Sequence, residues 1–383
     1  MAARRLGFVD QFRGLATVFM IETHVVNALL LLSLRQYFLF KAVDFVNGFV
    51  APSFLFVAGF SFTLALTRKG DSYRRFSMEL VRHLKRLVFI WVTGYLLHVP
   101  YFSLQKTVHE STFQNIVAFS AVDILQCIAA TLFVLHILRV LIKSDRVFKF
   151  VLYFLFAFFV VFAPVAGRID FFNALPVWLA QYFNRMHGSL FPLFPWSAFL
   201  IGGTIASQFI VGHSDLMSTG KVERRALSGL MWTGLFSTII GLGATIIQTQ
   251  ISRTSDFADY ATAWFLLRFG ILLLILYVIT LYEESRRTEV SPAKLFGRES
   301  FFVYTTHILV VYGSSVKIAS LVSRIGPSLG YLECLGIFIL LSAVMYVLAF
   351  MWNRLKQNDY RLSRIVQYVF VAGFFYLFIS RPY

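Results

Sequence analysis

The sequence predicts an all-α protein that lives in a lipid bilayer. Of its 383 residues 58% are hydrophobic and only 14% charged, where a soluble domain carries roughly 25% charged residues. Mean hydropathy is +0.72, and long apolar runs alternate with short basic stretches. Backbone groups in lipid must be satisfied within the chain, so the spanning elements are helices or a closed barrel. The apolar runs lack the alternation of barrel strands, which leaves helices. A soluble globule, a disordered chain and a disulfide scaffold are all excluded. The two cysteines, Cys127 and Cys334, lie in apolar stretches and define no redox framework.

A spanning helix needs about 20 mostly apolar residues. By that rule the runs 7–33, 42–66, 86–104, 115–141, 148–167, 190–211, 227–248, 261–282, 300–319, 331–352 and 365–380 make a polytopic chain of about eleven spans. The first run follows Arg4 and Arg5 and has polar groups inside it but no small-residue cleavage site, so it reads as a span and not a signal peptide. Pro52 kinks the second span. The third follows a basic cluster that includes Arg74, Arg75, Arg82, Lys85 and Arg86; the fourth carries Asp123 and Gln126. In the sixth, Gly202, Gly203 and Ala206 permit close helix packing. The connection 168–189 holds Pro176, Trp178, Tyr182 and His187, the content of a short interfacial helix or a lid. Arg268 lies in the eighth span and His307 in the ninth.

Basic residues cluster in alternate connections, which places the N-terminus in the cytoplasm and the C-terminus opposite. The net charge of +16 then reflects topology and anionic lipid headgroups, with no nucleic-acid partner required. Residues 1–383 read as one membrane domain, in which no internal repeat is visible.

Ionisable residues inside spans are costly and mark sites by default. Arg13 and His24 are eleven positions apart in the first span, about 20° from a whole number of turns, so both project from one face some 16 Å apart. Asp10 and Asn27 fall near that face, and Glu22 points away. An arginine near the inner surface and an imidazole deeper in suit a long anionic donor such as a coenzyme A thioester. His24 would take a proton from an acceptor hydroxyl or amine. The plainer reading is that Arg13 snorkels and pairs with Asp10 while His24 bonds a neighbouring helix. Asp44 and Asn47 share a face and suit orienting His24, although Asp44 with Lys41 is equally an ordinary surface pair. Asp123 and Gln126 suit sugar hydroxyls or interhelical bonds, and Trp196 an acceptor pocket. Arg268 needs an anionic partner, for which a CoA phosphate would serve, and His307, nearer the cytoplasmic half, would meet the donor. No HExxH, CxxC pair or carboxylate cluster indicates a metal.

An arginine, ten residues and a histidine in the first span resemble the signature of membrane acyltransferases. Five further blocks resemble the heparan-α-glucosaminide N-acetyltransferase family: Phe8-Val9-Asp10-Gln11-Phe12-Arg13-Gly14; Asn47-Gly48-Phe49-Val50-Ala51-Pro52-Ser53 continuing to Gly59; Val122-Asp123-Ile124-Leu125-Gln126; Phe194-Pro195-Trp196 with Gly202-Gly203; and Phe296-Gly297-Arg298-Glu299-Ser300 continuing to His307. The resemblance implies a multi-span enzyme that carries an acetyl group from cytoplasmic acetyl-CoA to a sugar or glycan on the opposite face, with a histidine at its centre. By position that histidine is His24. The family's lysosomal members have a luminal domain ahead of their spans and a catalytic histidine after the first span. This departure implies a bacterial relative in the inner membrane. Its partners would be acyl-CoA, a glycan acceptor and membrane lipid, and a homodimer is compatible with all of this. The rival class is a transporter or flippase of a sugar-lipid or anionic solute, whose marks are repeated halves and paired broken helices.

Overall fold

The computed structural model describes residues 6–213, 221–251, 257–286, 291–313 and 320–381. Arg4, Arg5 and positions 314–319 at the end of the expected ninth span lie outside them. Among the described residues the regular elements are helices, with one isolated bridge between Leu30 and Leu329. In chain order the α-helices are α1 (Gly7–Leu29), α2 (Phe38–Asn47), α3 (Val50–Lys69), α4 (Met78–Leu96), α5 (Leu104–Glu110), α6 (Phe113–Ser120), α7 (Ile124–Leu141), α8 (Asp145–Val161), α9 (Ala163–Arg168), α10 (Val177–Ala180), α11 (Leu193–Gly212), α12 (Arg224–Ile251), α13 (Phe257–Arg286), α14 (Pro292–Arg298), α15 (Ser300–Tyr312), α16 (Leu321–Arg324), α17 (Tyr331–Asn358) and α18 (Tyr360–Ser380).

Among the described residues, seven segments are long and apolar enough to cross a bilayer: Phe38–Tyr73, Ile124–Leu141, Leu193–Gly212, Arg224–Gln248, Ala261–Ser285, Tyr331–Asn358 and Tyr360–Ser380. The protein is therefore an integral membrane protein of all-α class, with a smaller set of qualifying spans than the sequence count. The remaining expected spans are helices of shorter or more charged composition. α1 carries Asp10, Arg13 and Glu22; α4 begins among Glu79, Arg82 and Lys85 and stops at Leu96; α8 has 17 residues; and α15 has 13, ending where Gly313 takes φ +73°. The expected run 115–141 is broken. α6 ends at Ser120, and Asp123 caps a new helix, α7.

The described chain forms two compact units, each assembled from separate stretches. One comprises Met1–Phe8, Ala51–Leu96 and Ser120–Arg287; the other comprises Val9–Val50, Leu97–Phe119 and Thr288–Tyr383. In the first, α3 and α11 pack backbone against backbone. A Cβ on Gly59 would lie 1.8 Å from the Leu200 oxygen, and one on Gly203 1.9 Å from that of Phe56. Two threonines bond across this contact, Thr63 Oγ1 donating to the Thr204 carbonyl at 3.0 Å and Thr204 Oγ1 to that of Gly59 at 3.2 Å. The connection 168–189 folds onto itself in this unit. His187 Nε2 bonds Asp170 Oδ1 at 2.8 Å, and Asn184 Nδ2 donates to the Ala166 and Ile169 carbonyls. The His187 imidazole and the Phe172 N–H hold the Asp170 carboxyl below its usual range.

In the second unit Ile21, Val25 and Leu29 of α1 pack with Phe296, Val303, Val311, Cys334 and Met345 in one core. The C-terminal end of α1 leaves carbonyls without helical partners. Arg35 Nη2 donates to those of Asn27 at 2.9 Å and Leu30 at 3.3 Å, and Leu329 N–H to that of Leu29 at 2.9 Å. Glu299, buried at the α14–α15 junction, accepts from Asn353 at 2.7 Å and Lys356 at 2.5 Å, which fastens the junction to α17.

Candidate active site

The site belongs to the second unit and is built on α1, α14 and α15. α14 starts with Ser291 as its cap and Pro292 in its first turn. Ser291 Oγ also donates to Gln11 Oε1 at 2.8 Å. Glycines then let the two backbones touch: a Cβ on Gly14 would lie 1.7 Å from the Ala293 oxygen, and one on Gly297 2.0 Å from that of Asp10. Around this joint Arg298 Nε meets Asp10 Oδ2 at 3.3 Å, and Arg13 Nη1 donates to the Gly297 carbonyl at 3.4 Å. Two distant blocks of the sequence, 10–14 and 291–298, are thus one structural feature. Asp10 pairs with Arg298, and the expected Asp10–Arg13 alternative is not the pair formed.

From the joint α1 and α15 run in the same direction. Eleven residues on from Arg13 stands His24, and ten on from Gly297 stands His307. Similar spans from a common joint bring the two imidazoles together, with ring centroids 5.1 Å apart. His307, expected nearer the cytoplasmic half, is therefore at the level of His24. Tyr312 completes the group. Its ring meets that of His24 edge to face at 5.5 Å, and its hydroxyl lies 3.2 Å from His24 Nδ1 and 3.5 Å from the His24 carbonyl oxygen. With the phenol hydrogen directed to that carbonyl, His24 Nδ1–H donates to the phenol oxygen, and the ring's lone pair sits on Nε2. His307 Nδ1–H donates to the Val303 carbonyl at 2.7 Å, so its lone pair is also on Nε2. That nitrogen is buried and meets no hydrogen-bonding group among the described residues. His24 is half-buried, so one of the two rings is open to an incoming molecule.

The hydrogen-bond partner of His24 is Tyr312, where sequence reasoning put Asp44. Asp44 stands exposed on α2, Asn27 is exposed on α1, and Asn47 is buried near Glu22, a residue expected to face elsewhere. Tyr312 and Glu22 are the members that sequence reasoning missed. The matched spacing of Arg13 to His24 and Gly297 to His307 is the signal that would have paired the two helices.

Asp123, Gln126, Trp196 and Arg268 belong to the other unit. Asp123 and Gln126 form a capping box at the start of α7, with Asp123 Oδ1 accepting from Ile124 N at 2.7 Å and Gln126 Oε1 from Asp123 N at 3.3 Å. A cap of this kind stabilises its helix by about 1 kcal/mol. Gln126 is wholly buried against Gly94, and its Nε2 lacks an acceptor among the described residues. Trp196 Nε1, buried in the first turn of α11, likewise has none. The Trp196 ring abuts Trp264 at 5.1 Å, and the buried Arg268 guanidinium lies 4.5 Å over the Trp264 ring. The buried Trp196 N–H near a stacked guanidinium suits a ligand with acceptor oxygens. No three His, Cys, Asp or Glu side chains among the described residues converge as metal ligands.

The family model for the catalytic region of heparan-alpha-glucosaminide N-acetyltransferase matches residues 5–242. The chain belongs to that family. The match takes in more than half of the sequence, including Arg13, His24, Asp44, Asn47, Asp123, Gln126 and Trp196, while Arg268 and the block ending in His307 lie beyond it. No curated protein sequence matches the chain. Membership of the N-acetyltransferase family and seven membrane-compatible helices together describe a membrane-embedded acetyltransferase.

Proposed function

We propose that this member of the family moves an acetyl group from acyl-CoA on the cytoplasmic side to a sugar or glycan amine or hydroxyl on the other, with His24 as general base. The observation that carries this reading is the state of the His24 imidazole. Its Nδ1 is held by Tyr312 and its ring is half-buried, and no described residue bonds its Nε2. Such a nitrogen can take the proton from an acceptor as the acceptor attacks the thioester carbonyl, a contribution of about 10²–10⁴-fold in rate. The C–S bond then breaks, and the proton passes from His24 to the departing thiolate.

Within this reading Arg13, half-buried at the joint, attracts donor phosphate. Arg268 serves the donor in the same way. Asp123, Gln126 and Trp196 bind acceptor oxygens, and Asn27, Asp44 and Asn47 line the acceptor's approach to the second unit's site. The cytoplasmic N-terminus and the count of about eleven spans rest on the basic connections and belong to the same proposal. So does an inner-membrane location. The test is purified protein in lipid nanodiscs with labelled acetyl-CoA and an amino sugar. Acceptor-dependent label transfer that is lost in His24→Gln is expected; undiminished transfer by a well-folded His24→Gln protein would remove His24 from the role.

A further inference from the structure

Of the seven membrane-compatible segments α18 is the least covered by the rest of the chain, and of Tyr360–Ser380 only Ser363 is buried. It therefore meets lipid over most of its surface. A charged side chain on such a surface is costly unless something answers it. Arg364 stands there, exposed, about 6 Å along the helix from Tyr360 and so at headgroup depth. Its partners are neutral. Arg364 Nη1 donates to Tyr360 Oη at 3.4 Å and Nη2 to Tyr368 Oη at 2.9 Å, and the guanidinium lies over both rings, 5.9 and 5.4 Å from their centroids. The tyrosines stand four positions before and after the arginine, so the three side chains form one ridge. Asp359, the acid of the α17–α18 turn, caps α18 instead, its Oδ1 accepting from Leu362 N–H at 2.8 Å.

This arrangement is rich in donors. A guanidinium has five N–H groups, of which the two phenols take two, and a phenol that accepts a hydrogen bond keeps its own O–H to donate. Arg361, exposed three positions before Arg364 and so beside it, adds a second positive charge. Donors and charge of this kind suit the paired oxygens of a phosphate, which a guanidinium holds in a bidentate fashion. The helix itself points to lipid as the source. Val371 and Phe375, seven and eleven positions on from Arg364, continue its face as exposed apolar side chains along which acyl chains can lie. A headgroup with its own ammonium would set that cation beside Arg361 and Arg364, whereas one without brings only negative charge. We propose that Arg361, Arg364, Tyr360 and Tyr368 bind the phosphodiester of an anionic phospholipid whose acyl chains run along Val371 and Phe375. The tyrosines hold the guanidinium in place before the lipid arrives, so little side-chain freedom is lost on binding. This does not depend on the acyltransferase reading.

The experiment is native mass spectrometry of the purified full chain in detergent, titrated with phosphatidylglycerol or with phosphatidylcholine. It compares wild type, Arg364→Gln, the double variant Tyr360→Phe with Tyr368→Phe, and Arg75→Gln, which removes one exposed charge from another connection. Each variant is checked for an unchanged thermal midpoint. Wild type is expected to bind its first phosphatidylglycerol about tenfold or more tightly than phosphatidylcholine. Arg364→Gln should weaken that binding about tenfold or more, the worth of a hydrogen bond from a charged group. The tyrosine double variant should weaken it about threefold to tenfold at unchanged net charge, and Arg75→Gln should leave it within about twofold. Equal binding of the two lipids, equal losses in Arg364→Gln and Arg75→Gln, or undiminished binding by the tyrosine double variant would overturn the proposal. Glycerophosphoglycerol, the same headgroup without chains, should fail to displace the lipid when added in excess; displacement would show a site for a free phosphodiester and overturn the lipid assignment.

Discussion

The two ends of the α1–α15 pair are built on opposite principles. At the Asp10–Gly14 end the backbones touch through Gly14 and Gly297, and the polar groups are matched: Asp10 with Arg298, Gln11 with Ser291 and Arg13 with a carbonyl. At the His24 end, about three turns on, the rings of His24, His307 and Tyr312 meet, and the Nε2 of His307 is left over. The first end spends its polar groups on holding two helices in register. Because that register is held, the second end can keep basic nitrogens unspent and within reach of each other. The Arg-x10-His signature therefore joins the α1–α14 contact to the cluster of His24, His307 and Tyr312.

That contrast can be broken from either end. The largest effect is expected from His24→Gln, which should lower acetyl transfer by about 10²–10⁴-fold while leaving the thermal midpoint of the purified protein in place. Next in size is Gly297→Val. The added Cβ would meet the Asp10 backbone oxygen at 2.0 Å, a carbonyl that cannot yield without moving α1, so destabilisation of about 1–3 kcal/mol or more is expected. Thermal unfolding in detergent reads it directly, and an unchanged midpoint would show that the helices are not held this closely. Tyr312→Phe removes one hydrogen bond from His24 Nδ1, worth about 0.5–1.5 kcal/mol. Roughly a twofold to tenfold fall in kcat should follow, with the protein as stable as wild type. The smallest effect belongs to Asp10→Asn. Its partly exposed pair with Arg298 contributes about 1 kcal/mol or less, and a large loss of activity in Asp10→Asn would mean that the joint end takes part in chemistry.

Much of the fold was legible because lipid imposes simple rules. Each apolar run holds helix among the described residues, and α1, which carries Asp10, Arg13 and Glu22, is not among the seven candidate spans. Breaks inside an apolar run were not legible. The capping box of Asp123 and Gln126 interrupts 115–141 although both residues also read as polar groups within a span. At the site, His24 stood out because it shares a helix face with Arg13 at a spacing of eleven. Tyr312 did not, since one tyrosine among many aromatic residues carries no signal until the parallel run of α1 and α15 is known. Asp44 drew attention through its charge, yet charge does not report distance. The hydrogen bond to His24 comes from a neutral phenol some 290 positions away along the chain.

The most direct measurement is a density map of the protein in nanodiscs with a non-transferable acyl-CoA analogue, such as a thioether in place of the thioester. With His24 as the reacting base, the carbon that replaces the acyl carbonyl lies beside the His24 and His307 rings, close enough for an acceptor atom to sit about 3 Å from Nε2. An analogue bound with its acyl end away from both imidazoles would contradict the account.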